Sequence, residues 1–143
     1  MPMPILAPAA ILVAWSIVML LWMTATRLPA LQKAKIPTDR TVGGRGVDLN
    51  GVLPPKVMWK AHNYDHLMEQ PTIFYAVVLI LAVIGHGTGF NATLAWIYVG
   101  LRIVHSIWQA TVNTIPVRLG LFLLSTIALG VLAVNAVRAT SGF

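Results

Sequence analysis

Residues 5–26 read ILAPAAILVAWSIVMLLWMTAT, 22 residues without a single charge. At about 1.5 Å per residue, a helix of this length crosses roughly 30 Å of hydrocarbon. Pro2, Pro4 and Pro8 stand at its start, where a missing N–H does least harm. No cationic segment precedes the run, and it is too long for the apolar core of a signal peptide. It is therefore expected to be a retained membrane span. Trp15 and Trp22 fit either the interface or the inside of a bundle.

The rest of the chain agrees with lipid as the solvent. Of 143 residues, 57% are hydrophobic and 10% charged, with a mean hydropathy of +0.78. Soluble domains carry about 25% charged residues, so this chain is too poor in polar groups to cover a water-soluble surface. The length suits one domain, covering residues 1–143. The net charge of +6 invites comparison with nucleic-acid binders. Seven of the ten cations, however, fall between Arg27 and Lys60, and no nucleic-acid motif accompanies them. With no cysteine, disulfides, thiolate metal sites and cysteine nucleophiles are all excluded.

Further apolar runs predict spans over about 57–85, 92–112 and 118–138, so the expected fold is all-α, an integral membrane four-helix bundle. Pro71 is expected to kink the second helix. The polar segment from Arg27 to Pro55, with Gly43, Gly44 and Gly46, reads as an irregular loop; these glycines lack the following Lys-Ser/Thr of a phosphate loop. Gly120 and Gly130 are expected to permit close helix packing. The stretch from Arg27 to Lys60 that follows the first span holds seven Lys or Arg and the loop after the second span holds none. By the positive-inside rule the long loop is cytoplasmic and both termini lie opposite, with Arg138 the one dissenter.

Two polar stripes interrupt these spans. Arg102, His105, Ser106, Gln109 and Asn113 lie at offsets 0, 3, 4, 7 and 11, one face of a helix turning about 100° per residue. Lipid would not tolerate that face, so it is expected to point into protein or a wet cavity. His62, Asp65, His66 and Glu69 share a face of the second helix, with Asn63 beside it. Asp65 and Glu69 are two of only four acids, so one of them is the expected partner of Arg102. Three readings follow: a structural network, a metal site built on His62, His66 and Glu69, or a site for an anionic ligand drawn to Arg102 and Arg118.

Arg102-Ile-Val-His105 followed by Pro116-Val-Arg118 resembles the third-to-fourth-helix signature of the MAPEG family, the membrane-associated proteins of eicosanoid and glutathione metabolism. Ala61-His62-Asn63, Glu69, Pro71 and Phe74 are similar in outline to that family's second-helix segment. The family's Asn-x-x-Glu is represented by Asn63 and Glu69, six apart, and Gln109 stands where tyrosine is common. The resemblance implies a homotrimer that binds glutathione between subunits at the cytoplasmic end and takes a lipophilic small molecule from the bilayer. It implies that Arg118 stabilises the glutathione thiolate, and that Arg102, His105, Asn63, Glu69 and Gln109 shape the binding site. It leaves two alternatives to a glutathione transferase or peroxidase. One is a non-catalytic member that binds lipid or serves as a subunit of a larger membrane complex; the other is a metal-dependent membrane enzyme.

Overall fold

The computed structural model describes residues 3–36 and 42–142. Residues 37–41, part of the expected polar loop and including Arg40, lie outside the described residues. The elements are α1 (Leu6–Ala34), a short 3₁₀ turn (Gly46–Leu49), α2 (Pro55–Val83), α3 (Gly89–Thr111) and α4 (Ile115–Ser141). The central pair is α2 and α3. Helix α1 packs on α2 and α3, and α4 packs on α3 and α2.

Three of the four helices, α1, α2 and α4, are long and apolar enough to cross a membrane by themselves. The exception, α3, has 23 residues, about 35 Å of rise, but its polar stripe dilutes its apolarity. Its residues Ala95, Tyr98, Val99, Arg102, His105, Ser106 and Gln109 are buried, so the stripe faces inward as expected except at Asn113, which lies beyond the end of the helix. By contrast, α1 buries only the narrow row Pro8, Leu12, Ser16 and Met19. Its Val13, Ile17, Val18 and Leu21, like Leu123, Leu124, Ile127 and Val134 of α4, are exposed. Apolar surface this continuous is what lipid covers and water does not tolerate. The protein is thus an all-helical, integral membrane protein.

One helix departs markedly from its expected boundaries. The irregular loop expected from Arg27 begins later, because α1 continues through Pro29 to Ala34. The extension is held by a small apolar cluster in which Ala30 and Leu31 pack on Leu53, Met58 and Ala61. At Pro71 the helical assignment of α2 runs on unbroken. Pro71 is buried, and the hydroxyl of Thr72 donates to the Glu69 carbonyl at 2.6 Å, satisfying a neighbouring backbone acceptor.

Glycines matter at one junction. Gly87, between α2 and α3, accepts a hydrogen bond from the Ile5 N–H at 3.0 Å. A Cβ there would stand 2.7 Å from Cγ2 of Ile5, which is fully buried, and 3.3 Å from the Cα of Ala82. Gly87→Ala is expected to destabilise the protein by about 1–3 kcal/mol through overpacking. Thermal unfolding in detergent, followed by tryptophan fluorescence, checks this; an unchanged midpoint would contradict it. Gly120 and Gly130, by contrast, face outward with nothing within 4 Å of a Cβ. Within the chain they mediate no close packing, contrary to expectation.

Candidate functional site

The inward face of α2 is set by its apolar residues. Leu67, Phe74, Val78 and Leu81 are buried, and Asn63 and Pro71 share their row. This rotates the helix one step away from the expected His62/Asp65/His66/Glu69 face. Asp65 and Glu69 end up exposed, His62 and His66 half-buried. The acids go outward because apolar burial decides the azimuth and carboxylates follow it.

The expected ion pair between Arg102 and Glu69 or Asp65 is consequently not formed. Arg102 is fully buried, and its Nη2 donates to Nδ1 of His66 at 2.7 Å and to the His66 carbonyl at 3.3 Å. For Nδ1 to accept, the His66 ring proton must sit on Nε2. The remaining guanidinium nitrogens, Nε and Nη1, have no partner among the described residues. Glu69 makes no hydrogen bond to them.

His66 is where three helices meet. Its ring stacks on His105 of α3, with centroids 4.9 Å apart and planes inclined 25°. It meets Phe122 of α4 edge-on at 5.5 Å. Arg118, half-buried in the first turn of α4, donates from Nη1 to Oδ1 of Asn113 at 2.6 Å. Phe122, the residue of α4 that meets His66, stands one helical turn beyond Arg118. His66 therefore joins Arg102, His105 and the face of α4 that carries Arg118, and the sequence had offered it only as a metal ligand. A signal for His66 was available: it stands three residues before Glu69, the Asn-x-x-Glu spacing that Asn63 lacks.

The other expected site residues fall as follows. Asn63 is 1% exposed, and neither its Oδ1 nor its Nδ2 has a partner. Gln109 is buried with Oε1 unpartnered. Buried polar atoms without partners are rare and costly, and here they gather along α2 and α3. Glu69 and Asp65 instead line a cleft of about 500 Å³ between α2, the end of α1 and the 3₁₀ turn, together with Arg27, Arg45 and His62.

The neighbouring layer around Tyr98 is satisfied. Tyr98 donates to Gln70 at 3.1 Å, and Gln70 donates to Thr126 at 2.9 Å, tying α3, α2 and α4 together. Trp15 donates from Nε1 to Ser106 at 2.9 Å, which places it inside the bundle. Trp22 lies beneath Lys60, whose Nζ is 5.3 Å from its ring.

The metal reading does not survive this geometry. Among the described residues, no three His, Asp or Glu side chains converge to hold a metal ion. His62 turns to Asn50 Oδ1 at 2.9 Å, and the Nδ1 lone pair of His66 faces a guanidinium. Sharing a face in sequence did not bring His62, His66 and Glu69 to one point.

Fold and site together define a four-helix membrane protein with a buried arginine–histidine centre between its second, third and fourth helices. The chain belongs to the MAPEG family, whose family model matches residues 5–138, nearly its whole length. Comparisons with curated proteins and with solved structures found no match.

Proposed function

We propose that the protein is a glutathione-dependent transferase or peroxidase acting on a lipophilic substrate, working as a homotrimer. The observation that carries this reading is Arg102, a fully buried cation whose Nε and Nη1 have no partner. An uncompensated buried charge costs several kcal/mol, so the working protein needs an anion there. Membership of a family that includes glutathione transferases supports glutathione as its source.

Glutathione has the groups the site asks for. Its carboxylates suit Arg102 and the cations of the cleft. Its amine suits Glu69, and the amides of Asn63 and Gln109 can complete the remaining hydrogen bonds. A free thiol ionises near about 8.5, and a guanidinium beside it favours the thiolate. Arg118 supplies that charge, with His105 and the His66 ring forming the floor. The thiolate sulfur attacks the electrophilic carbon of a substrate entering from the bilayer. A carbon–sulfur bond forms, and the leaving group departs with its electron pair. The cationic loop and the Arg102 end of the bundle face the cytoplasm, and the termini lie on the other side.

Purified protein would be titrated with glutathione while thiolate absorbance and conjugation of an aryl halide are followed. Saturable thiolate formation is expected; no binding at millimolar glutathione would end the proposal. Native mass spectrometry should show three chains.

A second reading, a non-catalytic member binding lipid or serving as an accessory subunit, draws on His66. That imidazole already occupies Nη2 of Arg102, while Glu69 faces away. A stoichiometric partner or lipid retained on purification, with no glutathione bound, would favour it.

A further inference from the structure

The connection between α3 and α4 is closed by a residue whose side chain is not needed for the turn. Asn113 has φ +56°, in the left-handed region. Its N–H and that of Val112 both donate to the Trp108 carbonyl, at 2.7 and 2.9 Å, ending α3. Glycine is the commonest residue at such a helix end, because it adopts this conformation without steric cost. An asparagine there adds an amide, and Oδ1 of that amide takes the Arg118 guanidinium at 2.6 Å.

Arg118 needs such a tether. It sits in the first turn of α4, where the helix dipole repels a cation. Its long side chain would otherwise be drawn outward to water and lipid phosphates. The turn carrying Asn113 is itself held. Trp108 Nε1 donates to the carbonyl and the hydroxyl of Thr114, at 3.3 and 3.1 Å, and the Arg118 N–H donates to the Thr114 carbonyl at 3.2 Å. The clamp therefore links the end of α3 to the start of α4 through both backbone and side chain.

We propose that Asn113 is a positioning residue that holds the Arg118 guanidinium in place on the face of α4 that meets His66 through Phe122. In the glutathione-dependent reading on which this rests, the charge that favours the thiolate is then in place before the ligand arrives. A charge already aimed where it is needed costs no reorganisation when the reaction begins.

Two variants separate the side chain from the turn. Asn113→Gly keeps the backbone conformation and deletes the acceptor; Asn113→Asp keeps an acceptor in place. Phenylglyoxal labelling of arginine, read peptide by peptide by mass spectrometry, reports on Arg118 directly, with exposed Arg138 as internal reference. In the native protein Arg118 should label more slowly than Arg138. Asn113→Gly should raise the Arg118 rate several-fold, and Asn113→Asp should not. With glutathione and an aryl halide, Asn113→Gly should lower kcat about tenfold, the scale of one hydrogen bond to a charged group. KM for the aryl halide should change little.

Equal labelling of Arg118 and Arg138 in the native protein overturns the proposal, and that comparison needs no variant to fold. So does an unchanged Arg118 rate in a folded Asn113→Gly protein. If the native protein binds no glutathione, the functional reading falls, while the labelling contrast still decides the role of Asn113.

Discussion

Replacing Arg118 by alanine is expected to cut kcat/KM for glutathione conjugation about a hundredfold, the scale seen when one preorganised charge-stabilising group is lost. The thiolate absorbance that appears on glutathione binding should fall with it. Stability should not. Arg118 is half-buried, and among the described residues its side chain bonds Asn113 alone. A cation in the first turn of α4 also opposes the helix dipole, an unfavourable contribution of about 0.3–1 kcal/mol that alanine removes. The two outcomes together are diagnostic. An Arg118→Ala protein that conjugates normally would remove Arg118 from the reaction. One that unfolds would make it a structural residue.

The second large effect concerns Arg102, and there stability itself should move. With no ligand bound, its charge is fully buried without an anionic partner. Arg102→Met removes a desolvation cost of several kcal/mol and fills similar volume with apolar atoms. Against this, the Nδ1 and carbonyl of His66 lose their donor, costing about 1–3 kcal/mol. The desolvation contribution is the larger, so the ligand-free variant should be more stable than the native protein. The response to glutathione should reverse. At a hundred times Kd, a ligand stabilises its protein by about 2.7 kcal/mol. The native protein should show that gain and Arg102→Met should not. Melting with and without glutathione, followed by tryptophan fluorescence, reads both. A large loss of stability in the ligand-free variant would show that Arg102 is compensated by an anion other than glutathione, such as Glu69 of a neighbouring chain. A glutathione response that survives would place the ligand elsewhere.

Much of the site was legible along α3. Once Arg102, His105, Ser106 and Gln109 fall on one face of a helix in lipid, their burial follows, because no other direction offers them partners. Along α2 the same reasoning failed by one residue. His62, Asp65, His66 and Glu69 also share a face, but this part of α2 lies near the polar loop, where acids can turn outward at little cost. Its azimuth was set instead by Leu67, Phe74, Val78 and Leu81. The wrong partner for Arg102 followed from that single rotation.

The 22 uncharged residues from Ile5 to Thr26 determined by themselves that this chain lives in a membrane, since no water-soluble surface can be made from them. The periodicity of α3 determined that polar groups lie inside. Which atoms meet there was decided only by the tertiary structure. The stacking of His66 on His105, the grip of Asn113 on Arg118 and the unpartnered edge of Arg102 depend on how three helices are turned about their axes. Those rotations are fixed by apolar packing spread over the whole bundle, so no local stretch of sequence specifies them.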